Sequence, residues 1–516
     1  MSGWADATTF AQAWANAVEQ DPSAPFLIFE ASDGTIAAWS YEEFDDVVSR
    51  VAASLVHRGV DGGSSVHLAL TNSPIFIAVW LAANRLGAWI VPSDPMGATA
   101  EFADHIERTA PVVGFCSTRR RDAYLLAVAP GMAVFEVDED DSSFDSFGSD
   151  RLDEWPDPDL TDRAAVMFTS GTTGRPKGVE ITQANYAFAG RTMANAAGLT
   201  ADDRHIVVLP LFHANAQYYS FASAIWVGAS VALMHTFSAT RFLEQAASHR
   251  ATVASLFAAP IRMILARGAP ADGLKLRHCW FAQNLAQDQY DTISAWLGCR
   301  PRQLYGMTET IPAVLSDALN PPRADTMGVV TAGCEVDVQD ANGESVPAGD
   351  ATNVDDHPIG EIVVRGDRGI TLFVGYLDDE DTTDASFRNG WFLTGDRASR
   401  DLDGRFYFDG RRSDVLKVAG ENVSTVEVES VLTAHTLVLE ASVVGAPDAI
   451  RDEVPVAFVV AADAGHPPLV DDLHDWCAQR LAKAKRPREI TLLGELPRTS
   501  VGKIRKFLLK DEVQRQ

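Results

Sequence analysis

Residues Met167 to Thr182 read MFTSGTTGRPKGVEIT, and this stretch decides how the rest of the chain is interpreted. An apolar run from Ala164 to Phe168 leads into a cluster of hydroxyl and glycine residues, and a second apolar run, Val179 to Ile181, follows it. The pattern predicts a strand, a loop and a second strand. Because backbone N–H groups and hydroxyls can surround an oxyanion, and Lys177 adds a positive charge, the loop is a candidate phosphate site.

This loop is not a P-loop of the type G-x-x-x-x-G-K-[ST]. Lys177 follows Pro176 rather than glycine, and Gly178 stands where a Ser or Thr would hold magnesium. A flexible surface turn is the plain alternative, but it does not account for so many hydroxyl, glycine and lysine residues in so short a segment. The segment TSGTTGRPKGV resembles the phosphate-binding signature of the adenylate-forming superfamily, which includes acyl-CoA synthetases, aryl-CoA ligases, peptide-synthetase adenylation domains and firefly-type luciferases. The resemblance implies phosphate contacts from Thr169, Ser170, Gly171, Thr172, Thr173, Gly174 and Lys177.

The length, charge and cysteine content of the chain limit the classes of function that it can have. The chain has 516 residues, enough for two or more domains. Its net charge of −28 argues against binding nucleic acid or an anionic membrane through bulk electrostatics. The start has no basic and apolar leader, and no run is long enough to span a membrane, so we expect a cytoplasmic protein. The five cysteines have no zinc or CxxC spacing and are predicted to be reduced.

Two later segments agree with the resemblance. The segment Tyr305-Gly306-Met307-Thr308-Glu309 resembles the family's YGxTE sequence, which implies that Tyr305 and Gly306 lie against adenine, Thr308 near the α-phosphate, and Glu309 on magnesium. Trp391 to Asp396 resembles the segment whose aspartate binds the ribose hydroxyls. Arg411 would add a second ribose contact.

Two further positions concern the acid pocket and the adenine site. His213, after the apolar run that ends at Pro210, is implied to be a pocket and gating residue beside the acid rather than a general base. The sequence Ala282-Gln283-Asn284 stands where the family has a glycine-rich turn that packs against adenine. Gln283 and Asn284 can still hydrogen-bond a purine edge, but the glycine platform is absent.

The C-terminal landmarks imply a second domain. Asp409 to Asp414 resembles the family's boundary with a mobile domain, with Ser413 at the hinge, and Gly420 would line a tunnel for the pantetheine of coenzyme A. The tail segment around Lys503 resembles the terminal lysine motif, in which the lysine reaches the carboxylate and the α-phosphate together. A solvated basic tail is the alternative interpretation of Lys503.

Alternating strand and helix patterns predict an α/β fold with parallel sheets covered by helices. With the resemblance, the expected fold is a large N-terminal domain of mostly parallel sheets with a β-barrel-like subdomain, and a small mobile α+β C-terminal domain. We expect an AMP-binding domain over residues 1–410 and the mobile domain over 411–516.

The resemblance implies an ATP-dependent acid–CoA ligase that forms an acyl-adenylate and uses ATP, magnesium and coenzyme A. Lys503, Glu309, Thr308 and His213 are then the residues at the reacting groups, and Glu309 is the metal ligand. Three alternatives stay open: loading of a carrier protein in trans, thioesterification of a supplied acyl-adenylate alone, and a non-catalytic nucleotide-binding protein. The partners expected are small molecules, without nucleic acid, and a homodimer is left open.

The acid is predicted to be bulky and largely apolar. The segments implied to line its pocket carry small side chains, at Ala214, Ala216, Ser220, Ala258, Ala259, Ala282, Gly306 and Ala313. No acidic residue stands between Phe212 and Phe221 to pair with an α-amine, which disfavours amino acids. The alternative is that neighbouring large side chains fill the same space.

Overall fold

The computed structural model describes residues 7–152, 154–169, 176–283, 285–350, 354–411, 415–418, 421–448, 452–498 and 504–515. Its contacts divide the chain into two compact units, Met1–Val336 with Val364–Phe392, and Asp337–Val363 with Leu393–Gln516. The chain passes from one unit to the other within strands. The predicted handover between residues 410 and 411 lies inside the second unit, and it stays a prediction about which part of the chain moves.

The helices and strands are numbered in chain order. The α-helices are α1 Phe10–Gln20, α2 Tyr41–Val56, α3 Pro74–Arg85, α4 Thr99–Thr109, α5 Arg121–Leu125, α6 Gln183–Ala197, α7 Ala222–Val227, α8 Phe242–Ser248, α9 Ala258–Arg267, α10 Gln287–Leu297, α11 Glu380–Ala385, α12 Thr425–Thr433, α13 Val470–Arg480 and α14 Lys506–Arg515. The strands up to the sixteenth are β1 Pro25–Glu30, β2 Ile36–Ser40, β3 Ser65–Ala69, β4 Trp89–Pro92, β5 Val113–Ser117, β6 Ala133–Val137, β7 Arg163–Thr169, β8 Lys177–Thr182, β9 Arg204–Val207, β10 Ser230–Met234, β11 Val253–Phe257, β12 His278–Ala282, β13 Arg302–Tyr305, β14 Leu315–Ser316, β15 Val329–Val330 and β16 Glu335–Gln339. The others are β17 Ile359–Arg365, β18 Phe387–Arg388, β19 Trp391–Arg400, β20 Phe406–Arg411, β21 Val415–Val418, β22 Glu421–Ser424, β23 Val438–Asp448, β24 Asp452–Ala461 and β25 Glu489–Leu493.

Two sheets dominate the first unit, and both are mostly parallel. One has the order β6-β5-β3-β4-β7-β8 and is parallel except for the last pair. The other has the order β15-β14-β13-β12-β11-β9-β10-β1-β2, and its inner strands from β13 to β1 are parallel. This architecture confirms the predicted helix-covered α/β fold.

The sequence accounts for where several helices begin. Ser40 caps α2 with a reciprocal capping box, since its hydroxyl accepts from the Glu43 N–H at 3.2 Å and its own N–H donates to the Glu43 carboxylate at 2.8 Å. Thr182 and Asn185 form the same arrangement at the start of α6. In the sequence, the spacing of Ser40 and Glu43 predicts the first box, and the residues from Gln183 to Ala197 predict a helix. The structure confirms both.

One predicted boundary is wrong. The apolar run from Val253 to Pro260 predicts a strand that continues to its end. In the structure β11 stops at Phe257, and Ala258, Ala259 and Pro260 form the first turn of α9. Proline suits the first turn of a helix because the N–H it lacks has no partner there anyway. Ala258 and Ala259 therefore lie in a helix and not at the end of a strand.

The helices α8, α9 and α10 cover one face of the larger sheet. Their apolar side chains pack with every second residue of the inner strands, including Ala254, Leu256, Cys279 and Phe281, all fully buried. The opposite residues of the same strands, such as Ser255 and Trp280, lie on the other face.

The second unit contains β-structure and helices near the C-terminus. The sheet β22-β21-β24-β23, with β25 paired to β24, is antiparallel except for the β24–β25 pair. A core of buried side chains joins it to α12 and α13. A further sheet has the order β16-β17-β19-β18, and β20 pairs with β19. The sequence from Gly360 to Gly366 predicts a β-rich connection, and most of it forms β17.

Two other predictions concern whole-chain properties. All five cysteines are free, and Cys116, Cys279 and Cys477 are buried, as predicted. Among the described residues, no helix is both long and apolar enough to cross a bilayer.

Candidate active site

The candidate site of the first unit lies at the carboxyl ends of four neighbouring parallel strands. In the larger sheet β9, β11, β12 and β13 are adjacent. Phe257, Ala282 and Tyr305 are the last residues of β11, β12 and β13, and His213 lies in the segment that follows β9. Ligands of open α/β sheets bind outside the carboxyl ends of the strands. The structure therefore gathers landmarks that are far apart in sequence along one sheet edge.

The hydroxyl-rich loop is the connection of a hairpin. Thr169 ends β7 and pairs directly with Lys177, the first residue of β8, and the Thr169 hydroxyl donates to the Lys177 carbonyl at 3.5 Å. The two predicted strands are confirmed, and residues 170–175 between them lie outside the described part of the chain. A Cβ at Gly178 would lie 3.0–3.2 Å from side-chain atoms of Val166, Leu377 and Phe168, so a larger residue would require these side chains to shift.

Lys177 and Glu309 are connected through Tyr376. The Lys177 Nζ lies 4.5 Å from the centre of the Tyr376 ring, and the Tyr376 hydroxyl donates to the Glu309 carboxylate at 3.1 Å. Tyr376 is 7% exposed and Glu309 is 5% exposed. Burial, and then the charge of Glu309, raises the pKa of the Tyr376 phenol, so the phenol keeps its proton and acts as a donor.

Tyr376 reaches this place because its segment runs along β8. The Glu180 N–H donates to the Gly375 carbonyl at 3.0 Å, and the Leu377 N–H donates to the Gly178 carbonyl at 2.7 Å. Tyr376 itself bridges to Val179 in an antiparallel pair. In the sequence, Gly375-Tyr376 is typical of a β-rich connection, and no local pattern marks Tyr376 as a site residue.

Glu309 is carried by a tight and strained turn after β13. The Thr310 hydroxyl accepts from the Met307 N–H at 2.9 Å and lies 3.2 Å from the Pro312 carbonyl. Ile311 has φ +70°, a left-handed conformation that is an outlier for a β-branched residue. Such strain concentrates at functional sites, and here it fixes the backbone next to Glu309.

His213 stands at the start of an unusual helical segment. Residues Asn215–Phe221 form a π-helix, a rare geometry that is frequent at functional sites. His213 is half-buried and its ring lies 4.5 Å from that of Phe212. The buried amide of Gln217 donates to the Leu211 carbonyl at 2.6 Å, which holds the turn before His213 in place.

Gln283 adopts the backbone conformation that a glycine would adopt freely. It has φ +74°, and its carbonyl accepts from the Gln303 side-chain amide at 3.0 Å. Ala282 before it is the half-buried last residue of β12. The turn at this point therefore has a left-handed residue even though the glycine is missing.

Gly306 does not leave open space. A Cβ there would lie 2.8 Å from the Pro312 carbonyl oxygen, 2.9 Å from the Tyr219 hydroxyl and 3.0 Å from the Ala313 Cα. Neighbouring groups therefore fill the space at Gly306, as the alternative interpretation of the small residues states. Tyr305, Gly306 and Thr308 are all half-buried.

Asp396 and Arg411 belong to the second unit and face each other across one strand pair. They are direct partners in the β19–β20 register. Asp396 is 2% exposed and its N–H donates to the Thr394 hydroxyl at 3.1 Å. The two positions predicted to bind ribose are thus brought together along the sheet.

Several predicted site residues lie outside the described part of the chain. They are Ser170, Gly171, Thr172, Thr173, Gly174, Asn284, Ser413, Gly420 and Lys503.

The chemistry of the described residues suits a polyphosphate more than a fully protein-bound metal. Among the described residues, no cluster of three or more His, Cys, Asp or Glu could hold a metal ion. Mg²⁺, however, is usually bound by one or two carboxylates together with substrate phosphates and water. A buried carboxylate at Glu309, linked through Tyr376 to the cation at the end of the hydroxyl-rich loop, fits that mode.

Comparison with known proteins gives matches over almost the whole chain. The model of the AMP-binding enzyme family matches residues 14–377, and that of the AMP-binding enzyme C-terminal domain matches residues 427–503. A crotonobetaine/carnitine–CoA ligase from Citrobacter koseri is 32% identical and aligns over 97% of this chain and 98% of its own length.

Solved structures are similar over the same extent. ATP-bound MatB from Rhodopseudomonas palustris has a TM-score of 0.86 and 27% identity, covering 98% of this chain and 99% of its own. The o-succinylbenzoate–CoA synthetase from Bacillus subtilis, in complex with its acyl-adenylate intermediate, has a TM-score of 0.83 and 27% identity, covering 97% and 98%.

Proposed function

The chain belongs to the AMP-binding enzyme family, and from this premise we propose that it is an AMP-forming acid–CoA ligase whose acid is bulky and largely apolar. The acid carboxylate attacks the α-phosphate of ATP and expels pyrophosphate. The acyl-adenylate then transfers its acyl group to the thiol of coenzyme A and releases AMP. The observation that carries the proposal is the link from Lys177 through Tyr376 to Glu309, beside the carboxyl ends of the strands that carry the other landmarks.

The first step gathers negative charge, so these residues act mainly by positioning and neutralisation. Lys177 and the hydroxyl-rich loop bind the phosphates, and the Thr308 hydroxyl lies near the α-phosphate. Lys503 contacts the carboxylate and the α-phosphate together. Tyr376 orients the Glu309 carboxylate, since its hydroxyl holds one of the two oxygens at 3.1 Å.

Glu309 is the protein group that would hold Mg²⁺ with the phosphates. The bound ion would lower the repulsion between the triphosphate and the incoming carboxylate. Because Tyr376 occupies one oxygen of Glu309, the geometry of the other oxygen is fixed before ATP arrives.

The second step requires a different set of residues. Lys503 leaves the reacting centre when residues 411–516 rotate about Ser413, and Gly420 leaves a passage for the pantetheine thiol. Asp396 and Arg411 hold the ribose in both steps. These roles rest on the family resemblance.

The exposure of the candidate lining residues indicates where the acid binds. Ala214, Phe257 and Ala282 are half-buried at or beyond the strand ends, whereas Ala216, Ser220, Ala258 and Ala313 are buried and belong to the packing of the protein. We therefore place the acid against the first three. Small and aromatic side chains form an apolar wall there, and such walls select bulk through buried area.

The π-helix adds a polar element to this wall. The Asn215 side-chain amide and the Tyr218 hydroxyl are buried without a hydrogen-bond partner among the described residues. Buried polar groups in proteins are nearly always hydrogen-bonded, either to protein or to water. Since the acid is placed against half-buried side chains, ordered water inside the wall is the partner that these fully buried groups need.

Competition between acids in one CoA-ligation assay tests the proposal. The panel contains acetate, propionate, branched and polycyclic acids, a hydroxylated version of one of them, and crotonobetaine, since a related ligase carries that name. Each buried CH₂ contributes about 0.8 kcal/mol, so kcat/KM should rise about tenfold for every two CH₂ groups that enter the pocket. A preference for acetate or propionate would rule out the wide apolar pocket, and a preference for crotonobetaine would replace it with a site for a quaternary ammonium.

A variant makes the same test without changing the acid. Ala282→Leu should lower kcat/KM for the bulky acids and leave acetate within twofold, because only large acids reach this side chain. An equal loss for all acids would show that Ala282 does not line the pocket.

Separate assays of the two half-reactions distinguish the three alternative functions. Loading of a carrier protein would give pyrophosphate exchange with no thioester on coenzyme A. An enzyme for thioesterification alone would give no acid-dependent exchange, and a non-catalytic protein would give neither activity. The φ of +74° at Gln283 is one that glycine adopts freely, so the missing glycine does not by itself argue against use of ATP.

A further inference from the structure

Helix α4 holds both ends of the hydroxyl-rich loop. The Arg108 guanidinium donates to the Pro176 carbonyl at 2.7 Å, and its central carbon lies 4.7 Å from the centre of the Phe168 ring. Phe168 is the residue before Thr169, and Pro176 is the residue before Lys177. We propose that Arg108 is a positioning residue for ATP binding that fixes the entrance and the exit of the phosphate loop. The proposal rests on the ligase function proposed above.

The geometry of Arg108 is itself fixed from its own helix. Asp104, one turn earlier, forms an ion pair with it at 3.4 Å. The Arg108 side chain is only 14% exposed, so water does not compete freely for its donors. An arginine can hold a carbonyl and an aromatic face together because its donors project from a planar, permanently charged group.

Phe168 also contacts His105, which lies three residues before Arg108 on the same face of α4. The two rings stack with centres 3.9 Å apart and an angle of 7°. The Ser93 hydroxyl lies 2.7 Å from His105 Nδ1 and 2.9 Å from His67 Nε2, and His67 Nδ1 lies 2.7 Å from the Tyr124 hydroxyl.

This buried chain makes His105 a fixed support rather than a second cation. Burial lowers the pKa of His105 to about 4 and that of His67 to about 3. Both rings are therefore neutral near pH 7, and the positive charge under the loop belongs to Arg108.

Holding the loop ends should matter for ATP and much less for the adenylate. A site that binds a polyphosphate through several N–H and hydroxyl groups loses affinity when those groups must first be ordered. The exit of the loop leads directly into Lys177, whose ammonium lies over the Tyr376 ring. Arg108 therefore also sets the position of Lys177. In the second step pyrophosphate has left, so this support should no longer limit the rate.

The test compares Arg108→Met with Arg85→Met. Arg85 is a close structural match, since its side chain is also 14% exposed, pairs with Asp45 at 2.7 Å and lies 3.6 Å from the centre of the Trp155 ring. It has no contact with Phe168 or Pro176 among those described. The readouts are the Kd of MgATP by calorimetry, the KM for ATP in pyrophosphate exchange, the rate of thioester formation from supplied acyl-adenylate, and the thermal midpoint.

We expect Arg108→Met to raise the Kd and KM for ATP about tenfold or more, as the loss of a charged hydrogen bond implies, with thioester formation within twofold of the parent. Arg85→Met should lower the thermal midpoint similarly and leave the Kd for ATP unchanged. Arg108→Lys, which keeps the charge and the pair with Asp104, should give an intermediate Kd and serves if the methionine variant fails to fold.

Unchanged ATP affinity in Arg108→Lys and Arg108→Met would overturn the proposal, and so would an equal loss in Arg85→Met. A parent protein that binds no ATP would refute the ligase function instead. The two failures are therefore distinguishable.

Discussion

Replacement of Tyr376 by phenylalanine removes one hydroxyl and leaves the ring beneath Lys177. The hydroxyl donates to the Glu309 carboxylate at 3.1 Å, and both side chains are at least 93% buried. A hydrogen bond to a charged group contributes roughly 1.5–3 kcal/mol. Since about 1.4 kcal/mol corresponds to a factor of ten, acid-dependent ATP–pyrophosphate exchange should fall about ten- to hundredfold.

The loss of activity in Tyr376→Phe should be accompanied by a weaker dependence of ATP binding on magnesium, because Tyr376 acts on the residue proposed to hold the ion. Calorimetry of ATP with and without Mg²⁺ should show a smaller gain from the ion in Tyr376→Phe than in the parent. Tyr290→Phe is the matched control, since it removes a buried hydroxyl that donates to the Pro301 carbonyl at 2.7 Å.

Two outcomes would refute this reasoning. One is an exchange rate and a magnesium requirement equal to those of the parent. The other is an equal loss in Tyr290→Phe, which would show a general cost of removing a buried hydroxyl. A further variant, Tyr376→Leu, removes the ring as well and should lose more ATP affinity than Tyr376→Phe.

Three further predictions concern residues of the two half-reactions. Lys503→Ala should reduce adenylate formation by orders of magnitude and affect CoA transfer from a supplied adenylate much less, because only the first step builds charge at the α-phosphate; equal losses in both would refute the role. Gly420→Leu should block thioester formation and spare adenylation in single-turnover measurements, whereas unchanged thioester formation would show that Gly420 does not line the thiol passage. Gln283→Gly should raise the thermal midpoint and the rate of pyrophosphate exchange, because a left-handed conformation costs an L-residue roughly 1–2 kcal/mol; a lower midpoint in a fluorescence melt would show that the Gln283 side chain contributes more than its backbone strain.

Local features were predictable from sequence because they depend on neighbouring residues. The capping box of Ser40 and Glu43 and the hairpin around the hydroxyl-rich loop both appear where the pattern placed them. The wrong boundary at Ala258 had a signal, since Pro260 suits the first turn of a helix better than a strand end.

Tertiary features were not predictable in the same way. Tyr376 and Glu309 are 67 residues apart, and no local pattern indicates that they touch. Arg108 and Pro176 are 68 residues apart, and their contact depends on β4 and β7 lying side by side in the sheet. The strand order that aligns His213, Ala282 and Tyr305 along one edge is likewise a property of the whole fold.

The small residues show why residue size is a weak guide to a pocket. Gly306 was interpreted as a source of volume, yet the Tyr219 hydroxyl and the Pro312 carbonyl occupy the position that its Cβ would take. Ala282 is also a small residue, and it is half-buried at a strand end. Only the surroundings distinguish the two cases.

The most direct test of the proposed chemistry follows the oxygen of the acid. With an accepted acid labelled with ¹⁸O in its carboxylate, attack on the α-phosphate transfers one labelled oxygen to AMP, which mass spectrometry detects after CoA ligation. We expect labelled AMP and unlabelled pyrophosphate in amounts equal to the thioester formed. Label in a free phosphate, or thioester formed with unlabelled AMP, would contradict an acyl-adenylate and with it the proposed function.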